Sequence, residues 1–206
     1  MPRCVIIGGA NIARYDRSKA AIKPDDFIIY CDSGLKHAEA LGAEPSLIVG
    51  DFDSHDNPHS SVETIVLPCE KDDTDTVFAV KEAIKRGFDD FLLLGVVGER
   101  LDHTLANVSI LLMLADMGLS GRIIDDYSEM EIVSRSPKRV DGSFKFFSIL
   151  NISGTARGIT ETGCKYPLKN AEITCDYQYG VSNEVLPDSE AVISLTEGRL
   201  LLIKVY

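Results

Sequence analysis

Residues 91–103 read Phe91-Leu92-Leu93-Leu94-Gly95-Val96-Val97-Gly98-Glu99-Arg100-Leu101-Asp102-His103. A short aliphatic run meets a glycine, crosses a polar loop and enters a longer segment that ends at Gly118. Within Asp102–Met117, Leu105, Val108, Leu112 and Ala115 fall on one helical stripe. A four- to five-residue aliphatic run is a strand buried on both faces, and the helix that follows covers it. The same unit recurs on both sides of this stretch. Cys4–Ile7, Phe27–Tyr30, Leu47–Val49, Thr64–Leu67 and Arg122–Ile124 are comparable runs. Thr76–Arg86 carries Val77, Val80 and Ile84 at helical spacing, and Leu35–Leu41 forms a shorter helix ending at Gly42. Strands alternating with helices predict right-handed βαβ units and a mostly parallel α/β sheet.

After about residue 128 the helical period disappears. Met130–Ser134, Phe144–Ile152, Ala171–Cys175, Ala191–Leu195 and Leu200–Tyr206 read as strands. Glu197-Gly198 fits a tight hairpin turn between the last two. Leu201, Ile203 and Val205 share one face of the final strand. The expected organisation is an α/β domain over 1–126 and an antiparallel β-sandwich domain over 127–206.

Composition narrows the function. The chain has 206 residues, 45% of them apolar and 26% charged, with 21 Lys+Arg against 32 Asp+Glu. A formal net charge of −11 argues against nucleic-acid binding, which needs surplus cations to release counterions. The longest apolar stretches, such as Ile110–Ala115, fall far short of the ~20 residues that span a bilayer, so no membrane role is expected. The N-terminal segment shows no apolar signal region, and the five cysteines share no CxxC spacing. Reduced thiols and a cytoplasmic location are expected.

Ligands of open α/β sheets bind beyond the carboxyl ends of the strands, so the residues there carry the argument. They are Gly8-Gly9-Ala10-Asn11, Asp32-Ser33-Gly34, Gly50-Asp51-Phe52-Asp53-Ser54, Glu70-Lys71-Asp72-Asp73-Thr74-Asp75 and Gly95 to His103. Asp51 and Asp53 stand two apart, on one side of an extended backbone. Converging carboxylates repel unless neutralised, and Mg²⁺ commonly does this with one or two carboxylates plus substrate phosphate oxygens. An isolated pair of this kind is usually a loop or cap. Asp32 and Asp75 at neighbouring strand ends favour a metal. Lys71 reads as a phosphate-directed point charge or as a surface lysine paired with Asp72 or Asp73. Thr74 or Asp75 is the N-cap of the next helix, a role compatible with a site. Arg100 suits bidentate binding of a phosphate. Asp102 suits a ribose, a base or a cap, and His103 reads as a helix-start residue. No Walker A lysine, GxSxG elbow or His/Cys metal cluster occurs.

Taken in order, Cys31-Asp32-Ser33-Gly34, Gly50-Asp51-Phe52-Asp53-Ser54, Lys71-Asp72-Asp73-Thr74-Asp75 and Gly98-Glu99-Arg100-Leu101-Asp102-His103 resemble the motifs of the thiamine pyrophosphokinase family. Gly163-Cys164-Lys165-Tyr166-Pro167-Leu168 and Gly180-Val181-Ser182-Asn183-Glu184 are similar to the signatures of that family's β-rich domain. The resemblance spans nearly the whole chain. This chain departs from it at Ser33 and Glu99, where the family often has glycine, and it has no Trp to stack on a substrate.

The resemblance implies transfer of the pyrophosphoryl group of ATP to the hydroxyl of thiamine, with AMP leaving. It implies Mg²⁺ held by Asp51, Asp53 and Asp75, with Lys71 and Arg100 offsetting phosphate charge beside them. It implies an ATP site of Asp32, Ser33, Gly34, Arg100, Asp102 and His103, and thiamine contacts from Ser182 and Asn183. It also implies a homodimer whose active sites lie at the subunit interface. Three rivals are weighed. They are a pyrophosphokinase acting on a hydroxymethyl pterin, a metal-dependent nucleotide-sugar glycosyltransferase, and a binding regulator without turnover. The glycosyltransferase leaves Lys71–Asp75 and Ser182-Asn183 unexplained, and a pure binder has no need of so many repelling carboxylates.

Overall fold

The computed structural model describes residues 2–52, 61–68, 72–134 and 136–206. Asp53, Lys71 and Cys69 lie outside them. The chain divides into two units, Met1–Asp126 and Tyr127–Tyr206.

The first unit holds β1 (Cys4–Ile7), β2 (Phe27–Cys31), β3 (Leu47–Gly50), β4 (Thr64–Val66), β5 (Asp90–Leu94) and β6 (Ser120–Ile124). All pair in parallel, in the order β4-β3-β2-β1-β5-β6. Every residue of β1 and β3 is buried. Each large aliphatic side chain so placed contributes roughly 1.5–3 kcal/mol, which is why these runs read as continuous apolar segments. From β1 the chain adds β2, β3 and β4 on one side, then returns to set β5 and β6 on the other. The reversal falls between β1 and β5, where such sheets open a crevice for ligands.

Among the described residues four α-helices accompany this sheet: α1 (Tyr15–Ala21), α2 (Ala38–Leu41), α3 (Asp75–Lys85) and α4 (Leu101–Asp116). The Leu35–Leu41 expectation resolves into a 3₁₀ helix over Asp32–His37 followed by α2. Helix α1 has no apolar stripe that a sequence reading detects. Its start is held by a distant residue, because Asp126 accepts from Ala13 N at 2.9 Å and Arg14 N at 2.8 Å. The stripe expected on α4 is also rotated. Asn107, Ile110, Leu111 and Leu114 are buried, whereas Leu105 is 61% exposed. Apolar residues surround this helix on most sides, so the period alone does not select a face. Among the described residues no helix is long and apolar enough to cross a membrane.

The second unit is built of two antiparallel sheets. One has β7 (Ser128–Val133), β13 (Leu200–Val205) and β9 (Phe146–Leu150), with β13 central. The other runs β11 (Leu168–Thr174), β10 (Thr155–Thr162), β12 (Ala191–Ser194) and β8 (Lys138–Val140). Val133, Phe147, Ile149, Leu200 and Leu202 from the first sheet share a core with Ala156, Ile159, Ile173 and Ile193 from the second. One expectation is corrected here. Glu197-Gly198 does not close a hairpin, because β12 and β13 belong to different sheets and the segment between them crosses from one to the other. In β13, Leu201, Ile203 and Val205 share one face, and Leu200 and Leu202 on the opposite face enter this core. Strand β10 had no period-2 signal, because register shifts at Arg157/Ile159 and Ile159/Glu161 break the alternation. The carboxyl side chain of Glu161, two residues after Ile159, is also buried.

Candidate active site

The turn after β2 begins with Asp32, whose φ of +36° lies outside the regions that ordinary residues prefer. Strand β3 ends at Gly50, where an added Cβ would stand 2.9 Å from Asp32 Cβ and 3.0 Å from Asp32 Cα. Only glycine permits this approach, and it brings the following Asp51 beside Asp32. Phe52 then turns through φ +53°. The expected pairing of Asp51 with Asp53 lies outside the described residues. From the far side comes α3. Thr74 is its N-cap, accepting from Val77 N at 3.3 Å, and Asp75 is the first helical residue. Cys31 Sγ donates to Asp75 O at 3.8 Å and ties this helix start to the end of β2.

One carboxylate oxygen from each of Asp32, Asp51 and Asp75 lies within 4.8 Å of the others. Oδ1 of Asp32 and Oδ1 of Asp75 are buried. Three carboxylates without thiol or imidazole form a donor set for a hard divalent cation, so Mg²⁺ fits the residues present.

Next to this trio, in the same unit, lies a hollow of about 350 Å³. The loop after β1 (Gly8–Asn11) and the loop after β5 (Gly95–Arg100) line it, with Ser33, Lys36, Thr76, His103 and Asn107. The two loops are joined by Gly8 N to Leu94 O at 2.9 Å and Ala10 N to Gly95 O at 2.8 Å. Gly34 is tucked against β1, where a Cβ would stand 2.3 Å from Ile7 O. Buried His37 braces the first loop. One ring nitrogen meets Ala10 O at 2.9 Å and the other Tyr15 Oη at 2.7 Å. Burial lowers its pKa below the ordinary imidazole value.

Ser33, Arg100 and His103 line the hollow, whereas Gly34 packs against Ile7 and Asp32 belongs to the carboxylate trio. Arg100 and Asp102 bind each other, with Nε to Oδ1 at 3.0 Å and Nη2 to Oδ2 at 2.6 Å. This pairing holds the Asp102 carboxyl well below, and the Arg100 guanidinium above, their usual ranges. Lys36 was not singled out by sequence. Its ammonium donates to Gly9 O at 2.5 Å and places a cation at the wall of the hollow. Its one available signal is position, four residues after Asp32 in a segment that proves to be a helical turn.

The second unit holds Ser182 and Asn183. Ser182 is exposed with φ +59°, and its backbone N–H donates to Ser148 Oγ at 3.0 Å. Asn183 is buried and fully engaged. Its Oδ1 accepts from Tyr166 N and Glu184 N, and its Nδ2 donates to Tyr166 O and Glu161 Oε2.

Carboxylates converging beside a glycine-walled hollow, at the carboxyl edge of a parallel sheet, are the build of a phosphate-handling α/β enzyme. Sequence and structure comparisons identify which kind. Residues 18–120 match the thiamin pyrophosphokinase catalytic domain and residues 130–200 match the thiamin pyrophosphokinase vitamin B1 binding domain. The chain belongs to the thiamin pyrophosphokinase family and is an enzyme of that family. Thiamine pyrophosphokinase of Bacillus subtilis is 29% identical over 181 residues, 84% of each chain. The crystal structure of thiamine pyrophosphokinase from that organism superposes with a TM-score of 0.87 at 24% identity, covering 98% of both chains. That of thiamin pyrophosphokinase from Geobacillus thermodenitrificans gives 0.85 at 28% identity, covering 99% of this chain and 97% of the other. An α/β unit followed by an antiparallel β unit is the architecture they share.

Proposed function

We propose that this enzyme moves the pyrophosphoryl group of ATP onto thiamine in an Mg²⁺-dependent reaction. The convergence of Asp32, Asp51 and Asp75 within 4.8 Å carries the proposal, together with the family membership. The thiamine hydroxyl oxygen attacks the β-phosphorus. The bond between the β-phosphorus and the oxygen bridging it to the α-phosphorus breaks, and AMP leaves with that oxygen. The hydroxyl proton passes to an aspartate of the trio and on to solvent. A loose transition state of this kind needs positioning and charge neutralisation more than a strong base.

Asp51 and Asp75, with Asp53, would hold the metal, and Asp32 completes the edge of the shell. Bound Mg²⁺ would supply neutralisation of the triphosphate oxygens. The loops of Gly8–Asn11 and Gly95–Arg100 enclose the nucleotide, with Ser33, Gly34 and His103 at its walls. Lys36 and Lys71 offset phosphate charge. Arg100 exchanges its Asp102 partner for a phosphate, which leaves Asp102 to accept from the ribose. Ser182 offers its hydroxyl to the thiamine ring. Its left-handed backbone is the kind of local cost that folds retain at functional positions. Asn183 has no hydrogen or lone pair left over, so its role is to frame the loop that presents Ser182. The active enzyme is a homodimer in the cytoplasm, on the strength of the family resemblance and, for location, of the free thiols of Cys4, Cys31, Cys164 and Cys175. Neither pterin nor sugar transfer draws support from the relatives.

The test is incubation with thiamine, ATP and Mg²⁺, with product separation. AMP and thiamine diphosphate in equal amounts, abolished by EDTA, are expected. Formation of ADP, or no turnover, would overturn the reading. Sedimentation at assay concentration should give twice the chain mass.

A further inference from the structure

A second cavity, of about 230 Å³, lies within the C-terminal unit. Tyr166, Leu168, Tyr179 and Val181 give it aromatic and aliphatic walls, and Glu161 and Asn183 supply its polar side chains. Glu161 is only 2% exposed. Its Oε2 accepts from Asn183 Nδ2 at 3.1 Å. Its Oε1 is buried and, among the described residues, meets no hydrogen-bond donor. The residues in register beside it are apolar, Leu168 on β11 and Ile193 on β12. The two nearest cations in sequence are engaged elsewhere, Lys165 with Glu184 at 2.7 Å and Arg157 with Glu172 at 2.9 Å and Glu197 at 3.3 Å. A buried carboxyl with one oxygen unmatched is a cost to the fold, and such costs are retained where a ligand matches the atom.

We propose that Glu161 is a specificity-determining residue, whose Oε1 accepts a hydrogen bond from the amino group on the pyrimidine ring of the acceptor. This rests on thiamine being the acceptor. The cavity fits the assignment, since a flat ring needs apolar walls and its amino group needs one acceptor at the end. Burial pushes the Glu161 carboxyl up to about 7, so an arriving donor favours its ionised form near neutral pH. The titratable groups beside it are Cys164, whose thiol burial pushes up, Tyr166 and Tyr179, and the nearby charges of Lys165 and Glu184 are paired with each other.

Asn183 makes the idea sharply testable. Two backbone N–H groups, of Tyr166 and Glu184, occupy its Oδ1, so its Nδ2 must face Glu161. In Glu161→Gln the new carbonyl oxygen therefore faces Asn183, and the new NH₂ projects where Oε1 stood. The cavity then presents a donor in place of an acceptor. A site built around one polar contact rejects the mismatched analogue strongly.

The experiment compares thiamine with its analogue bearing an oxo group in place of the amino group, on the full-length wild type and Glu161→Gln. Both kcat/KM with ATP and Mg²⁺ and direct calorimetric binding are measured. The expected result for Glu161→Gln is a thiamine KM raised at least tenfold and an ATP KM within twofold. Its preference for thiamine over the oxo analogue should fall at least tenfold. In the wild type, thiamine affinity should rise about tenfold from pH 6 to pH 8 as the carboxylate forms, and this needs no variant to fold. Unchanged preference between the two ligands, or a flat pH profile, would overturn the assignment. If the wild type binds thiamine without turning it over, the functional reading fails while the binding ratios still judge Glu161. If it does not bind thiamine at all, both fail.

Discussion

Glu161→Gln should stabilise the protein in mild alkali and lose that advantage in acid. The wild-type carboxyl is raised from an ordinary 4.5 to about 7 by burial, which outweighs the opposing hydrogen bond from Asn183. The folded state thus holds its proton more tightly than the unfolded chain. Stability from this group is complete below about pH 4.5, falls as pH rises through about 7, and is flat above. The rise from 4.5 to about 7 corresponds to about 3 kcal/mol. Glutamine keeps the acceptor for Asn183 and cannot ionise, so its stability lacks this slope. Urea unfolding followed by tyrosine fluorescence at pH 4, 5, 6, 7 and 8 measures the difference. The gap between variant and wild type should widen by about 3 kcal/mol from pH 4 to pH 8. Parallel curves would show that Glu161 is not desolvated in the folded protein, and the reasoning about its cavity would go with them.

Asp51→Asn should lower turnover on the order of a thousandfold with little change in melting temperature, and should abolish the rise in melting temperature that Mg²⁺ gives the wild type. Retained Mg²⁺-dependent activity would remove Asp51 from the metal set, and Asp53→Asn is tested in the same way. Ser182→Ala should raise the thiamine KM more than the ATP KM, an equal effect on both counting against a thiamine contact. Ser182→Gly should stabilise the fold by about 1 kcal/mol through relief of the left-handed backbone, as read by thermal unfolding. Gly50→Ala forces a Cβ to within 2.9 Å of Asp32 and should weaken the Mg²⁺ response along with stability. A normal Mg²⁺ response in a folded Gly50→Ala protein would show that this approach does not set the trio.

The parallel sheet is legible along the chain because strands covered on both faces must be aliphatic throughout, as Cys4–Ile7 and Leu47–Gly50 are. The carboxylates are legible for a related reason, since the loop after each strand is where such a sheet places its polar chemistry. The family is legible in the order of those motifs. Each of these signals is local, or is a spacing preserved along the backbone.

What the tertiary structure decided depends on groups that meet across the chain. Asp126 holds the start of α1 from more than a hundred residues away. Strands β12 and β13 are close in sequence, but pairing energy is gained with whichever neighbour packs best, and that places them in separate sheets. The bond between Arg100 and Asp102 and the full engagement of Asn183 depend on side-chain directions that composition does not carry. Glu161 is the clearest case. A glutamate in a polar stretch reads as a surface residue, and only its place on the buried face of β10, two residues after Ile159 and between apolar neighbours on both adjoining strands, withdraws it from water.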